Sequence, residues 1–180
     1  MDDEWPITIR GELGESVRLM KILVPLDGSR ASEAALPKAV GLARQNGDAR
    51  LVLVRAVDPA TLPGVGFTAA HVSAINEATE YLRNVAAHLR TEGIDVIGRS
   101  VWYAAAGPSI VEAARTVKPD VIVMVSSRAE GLIPGAVTEL VLHGTRIPIV
   151  RVAAAKAPAG APMARTIGRE TDSTAGARVA

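Results

Sequence analysis

The sequence predicts an α/β fold built on an open, parallel, doubly wound sheet of five strands. Two observations carry this. Short apolar runs of strand length alternate with longer segments of helical period, five of the former and four of the latter. Several of the runs are apolar almost throughout, as expected of strands covered on both faces. Right-handed crossovers then distribute the helices over both sides of the sheet.

The elements follow in order. KILVPL (21–26) is the first strand. SEAALPKAVGLARQNGD follows, with Ser32 placed to cap a helix, Glu33 in its first turn, and Leu36, Val40 and Ala43 on one face. Pro37 is expected to kink this helix early, and Gly47 to end it. RLVLVRAV (50–57) is the second strand, and DPATLPGVGF after it is rich in turn formers. Residues 68–90 are the longest helical stretch, with Val72, Ile75, Leu82 and Leu89 on a stripe that Thr79 and Ala86 complete. DVIGRSVWYA (95–104) is the third strand, Gly98 marking a bulge. GPSIVEAARTV (107–117) is a helix with Pro108 at its start and Ile110, Ala114 and Val117 inward. DVIVMVS (120–126), GAVTELVLHG and PIVRVA (148–153) complete the set as strand, short helix and strand.

These elements span residues 20–153 as one domain. Residues 1–19 read as an N-terminal extension, with a short strand expected at Ile7–Arg10. The tail 154–180, made largely of Ala, Gly, Pro, Arg and Thr, has little to bury and is expected to be disordered.

Composition narrows the function. The 180 residues carry a formal net charge of +1, and Lys and Arg form no basic stripe, so neither nucleic acid nor an anionic membrane surface is an expected partner. Cysteine is absent, which removes disulfides and thiolate chemistry and fits a reducing compartment. No apolar run reaches the ~18 residues a membrane span needs, and the acidic MDDE start is unlike a signal peptide, so the expected location is cytoplasmic. His71, His88 and His143 lie far apart without metal-ligand spacing, and no nucleophile elbow or base for Ser126 or Ser127 is evident. GVGFTAA (64–70) lacks the dinucleotide fingerprint and reads as a flexible loop over the site.

In such sheets ligands bind beyond the carboxyl ends of the strands, near the switch point. That singles out Asp27 after the first strand, the 56–58 turn opening at Ala56, and the 125–135 loop.

KILVPLDGSRASEAAL, LVLVRAVDP and PDVIVMVSSRAEGLIPGAVTELVLHGTRIPIVRV together resemble the universal stress protein family, in order and spacing. The resemblance implies strand order 3-2-1-4-5 in an adenine nucleotide alpha hydrolase-like fold. It also implies a homodimer joined through the last strand, Ile149–Val152. One branch of that family binds ATP through a G-x2-G-x9-G-[ST] loop; the other lacks the loop. Carried onto this chain, the first glycine falls on Val125 and the second on Arg128. The third is Gly135, after only six intervening residues, and the hydroxyl position is Ala136. Realigning on Gly131 shortens the loop further.

Those departures have physical weight. A phosphate cradle turns backbone N–H groups toward the ligand, which glycine permits and β-branched Val125 opposes. On the other side, Asp27 stands where ATP-binding members place an acid, Thr138 matches a residue near their phosphates, and Arg128 is able to pair with a phosphate. The bland readings are a turn residue for Asp27, a solvated arginine for Arg128, and a turn and first helical turn for Gly135, Ala136 and Thr138. The expectation is a non-catalytic, dimeric stress-response or regulatory domain that works through a protein partner and holds no cofactor. The alternative is an ATP-binding switch with an atypical phosphate loop. An enzyme of the wider fold would carry an early pyrophosphate loop, and VPLDGSRAS is not one.

Overall fold

The structure, a computed structural model, describes residues 19–47, 49–64, 66–126 and 135–153. The expected Ile7–Arg10 strand and the tail from 154 lie outside the described residues.

Five strands form one parallel sheet: β1 (Lys21–Pro25), β2 (Arg50–Ala56), β3 (Val96–Trp102), β4 (Val121–Ser126) and β5 (Ile149–Ala153). Their order is β3-β2-β1-β4-β5, as the resemblance implied. Helices α1 (Arg30–Glu33), α2 (Ala35–Gln45), α3 (Ala69–Thr91), α4 (Ala106–Val117) and α5 (Ala136–Gly144) connect them, with one short 3₁₀ turn at Pro59–Thr61.

Strand β1 is central, and Ile22, Leu23 and Val24 are completely buried. Alternate side chains feed two cores, because successive residues of a strand face opposite ways. Ile22, Val24, Leu51, Leu53 and Val123 pack with Ala39 of α2 and Leu82 and Leu89 of α3. Leu23, Val52, Val54, Ile122 and Met124 pack with Ile110, Ala113 and Ala114 of α4 and Val141 of α5. Each fully buried leucine or isoleucine contributes about 1.5–3 kcal/mol. Both faces being covered explains why the strands read as unbroken apolar runs.

Three local expectations change. The first helix divides in two, and Ser29 rather than Ser32 caps it: the Ser32 N–H donates to Ser29 Oγ at 3.1 Å. Pro37 has no N–H to return to the Glu33 carbonyl, so the chain restarts as α2 at Ala35. On α3, Val72 and Thr79 face solvent, and the buried line runs through His71, Ala78, Leu82, Ala86 and Leu89. Pro108 is the third residue of α4 rather than its first. The bulge next to Gly98 is present as a register shift between Leu51 and Val52. A Cβ on Gly98 would lie 3.3 Å from Val52 Cγ1, so the irregular strand passes close to its neighbour.

Candidate functional site

The carboxyl ends of β1, β2 and β4 open on one cavity of about 300 Å³. β1 supplies Pro25, and Leu26 and Asp27 follow it; β2 supplies Val54 and Ala56, and β4 supplies Met124 and Val125. Ser29, Ala31 and Ser32 form the rim at α1, Ala106 and Ile110 of α4 close one side, and Val137 and Thr138 of α5 close another. The strand order makes this arrangement: β1 sends its crossover one way and β4 the other, so their carboxyl ends part and leave a crevice.

Of the residues expected from sequence, Asp27, Ala56, Val125 and Thr138 share the wall of this cavity. Gly135 and Ala136 begin α5 without entering the wall, Gly135 as the residue before its first turn. Arg128 lies outside the described residues. Ser29, Ser32, Ala106, Ile110, Met124 and Val137 were not singled out, although the start of any helix following a strand must lie at this end of a parallel sheet.

Asp27 is held by a small hydrogen-bonded turn. Its Oδ1 accepts the Ser29 N–H at 2.8 Å, and its own N–H donates to Ser32 Oγ at 3.2 Å. The Ser32 hydroxyl donates in turn to the Ser29 carbonyl at 2.9 Å. Partial burial pushes the Asp27 carboxyl up, but the hydrogen bonds from Ser29 and Ser32 outweigh it and hold the carboxyl below its ordinary value. The group is a carboxylate at neutral pH. Gly28 makes the turn with φ at +88°, and a Cβ there would lie 3.1 Å from the Arg55 guanidinium.

Thr138 is only 1% exposed and lines the cavity. No lysine, arginine or histidine side chain stands in the described wall. Among the described residues no three His, Asp or Glu side chains gather as a metal site, and no helix is long and apolar enough to cross a membrane.

The Gly-containing loop after β2 ends in an aromatic cluster. Phe67 lies 5.6 Å from Tyr103 and 5.8 Å from His71, centroid to centroid. His71 also closes the first turn of α3: its Nδ1 accepts the Thr68 N–H at 3.2 Å and stands 2.6 Å from Thr68 Oγ1. This is a capping box with histidine in the place usually taken by Glu or Gln.

This strand order, with a cavity where β1 and β4 diverge, is that of the fold universal stress proteins have. The model of the Universal stress protein family matches residues 19–153, three quarters of the sequence, and the chain belongs to that family. No curated protein sequence matches it. A universal stress protein from Archaeoglobus fulgidus is 27% identical, with a TM-score of 0.57 over 73% of this chain and 92% of that one. A family member from Burkholderia pseudomallei is 25% identical, with a TM-score of 0.57 over 74% and 96%. A universal stress protein from Archaeoglobus fulgidus in complex with dAMP is 23% identical, with a TM-score of 0.55 over 75% of this chain and 98% of that one.

Proposed function

We propose that the chain is a non-catalytic regulatory domain of the stress response, cytoplasmic and homodimeric, which acts through a protein partner and is not a standard ATP binder. One observation carries the reading on ATP. Where a phosphate cradle needs close backbone approach, the end of β4 presents Val125 and the first turn of α5 presents Val137, both in the cavity wall. The same wall carries a carboxylate, Asp27, and no cation among its described residues. Among those described residues a triphosphate would meet a like charge and no compensating one.

A second reading, an adenine-nucleotide switch with an atypical loop, has its own support. Thr138 lines the cavity, and three structures of this fold are complexes with cAMP, dAMP and AMP. Isothermal titration of ATP, with and without magnesium, decides between them. The first reading expects no binding tighter than about 10 μM, which corresponds to about −7 kcal/mol. Tighter binding, weakened by Asp27→Ala, establishes the second.

A further inference from the structure

We propose that the chain's own C-terminal tail folds back over the carboxyl end of the sheet and docks its Pro158–Met163 segment on the exposed aromatic pair Phe67 and Tyr103.

The chain has one Phe, two Tyr and two Trp. Its only Phe is 65% exposed, and Tyr103 beside it is 39% exposed. Large rings left in water side by side mark an interaction surface, where single scattered ones do not. The two rings meet at 73° with centroids 5.6 Å apart, so they form a corner with two apolar walls. His71 is buried and lies 5.8 Å from Phe67 and 5.9 Å from Tyr103. Its Nδ1 accepts the Thr68 N–H, which fixes the turn that carries Phe67. The corner is thus built before anything enters it. Aromatic surfaces of this kind take proline-rich segments.

The tail supplies such a segment. KAPAGAPMAR (156–165) carries Pro158 and Pro162, followed by Met163, and has no acidic residue. Proline favours the polyproline II conformation, which loses little entropy on docking. Met163 adds a thioether, which packs well at ring edges. A tethered segment needs only weak contacts, because its effective concentration is on the order of millimolar.

Position and length select the tail. All five strands are parallel, so Ala153 at the end of β5 and Tyr103 just beyond β3 lie at the same end of the sheet. Four strand spacings separate β5 from β3, roughly 19 Å at ~4.8 Å each. At ~3.1 Å per residue, polyproline II puts Pro158 about 16 Å and Met163 about 31 Å beyond Ala153, which brackets that span. The path passes the ends of β4, β1 and β2, which open on the cavity, so the docked tail is a strap across its mouth. The N-terminal residues join the sheet at Lys21, the amino end of β1, and must first travel the sheet's length. The family model matches residues 19–153, so the strap is an addition to the domain the family shares.

The absence of cysteine makes the test direct. Ala164→Cys gives the full chain its single thiol, which takes a nitroxide label beside Met163. Phe67 is the only Phe, so residue type alone identifies its ring signals in NMR spectra. The oxidised label is expected to weaken the Phe67 and Tyr103 ring signals severalfold relative to the reduced label. Gly93, past the other end of α3, is expected to keep its intensity. Replacing both prolines, Pro158→Gly and Pro162→Gly, leaves the domain untouched and is expected to restore the Phe67 signal. Equal Phe67 intensity in the two label states overturns the proposal, and so does weakening that survives the proline replacements. Weakening that is the same at Phe67 and Gly93 shows an undirected tail and overturns it too. In a mixture with isotope-enriched, cysteine-free chain, Phe67 of the enriched copy is expected to be unaffected. Equal weakening there assigns the tail to a second copy and overturns the intramolecular contact.

Discussion

The guanidinium of Arg55 lies over the ring of Tyr81, 5.0 Å from its centroid. The Tyr81 hydroxyl donates to Glu33 Oε1 at 2.9 Å. One side chain from β2, one from α3 and one from α1 are thus tied together beneath Gly28, the residue after Asp27. Such a tie fixes the turn that holds the carboxylate at the cavity rim. It uses a cation–π contact and a charge-assisted hydrogen bond rather than apolar packing.

Tyr81→Phe is expected to lower the unfolding free energy at pH 7 by about 1 kcal/mol, the typical worth of one such hydrogen bond. Alkaline pH adds a second signature. Burial first, then the hydrogen bond to Glu33 and the charge of Glu33, raise the Tyr81 pKa above its ordinary 10.0. A raised folded value favours the protonated phenol in the native state. Its contribution is therefore complete below pH 10 and is lost as pH rises through the folded value. Urea unfolding at pH 8 and pH 11 should show a steeper alkaline decline in the wild type than in Tyr81→Phe. Equal declines would refute the tie.

Two glycines inside helices predict opposite signs for the same substitution. A Cβ on Gly41, in α2, meets nothing within 4 Å. Gly41→Ala should therefore stabilise by about 0.5–1 kcal/mol through helix propensity alone. A Cβ on Gly144, in the last turn of α5, would lie 2.5 Å from Val111 Cγ2 of α4. Gly144→Ala should push these helices apart and destabilise by about 1–3 kcal/mol. Thermal unfolding of the two variants beside wild type checks both, and two shifts of the same sign would contradict the packing of α4 on α5.

The strands were legible because a strand covered on both faces must be apolar throughout, as Ile22, Leu23 and Val24 show. The helices were less so. Val72 fits the apolar period of α3, but the first turn is oriented by its cap, which draws His71 inward and leaves Val72 at 43% exposure. Periodicity takes no account of such a bond. Asp27, Ala56, Val125 and Thr138 could be placed at the cavity because topology alone sends strand ends there. Ile110 and Met124 could not. They read as core residues, and only the partial opening of the sheet shows that their inner faces also line a cavity.

The last prediction concerns assembly. Among the described residues β5 is an edge strand, paired only with β4. The Ile122 N–H donates to the Pro148 carbonyl at 2.9 Å, and Ile122 lies opposite Ile149 in the parallel register. In a parallel ladder the partner residue directly opposite then turns its own N–H and carbonyl away, and alternate residues follow suit. Ile149, Arg151 and Ala153 thus turn backbone groups to the outer edge that are unused among the described residues. An edge of half-buried Ile149, Val150 and Val152 left in this state would invite pairing with other strands. A second copy related by a two-fold axis satisfies it with the same residues on both sides. Light scattering at micromolar concentration should give the mass of a dimer. Arg151→Pro removes one outward N–H while leaving the bonds to β4 in place, since proline is tolerated at such an edge position. That variant should be a monomer with a native circular-dichroism spectrum. A wild-type monomer, or a variant that remains fully dimeric, would place the subunit contact elsewhere or remove it.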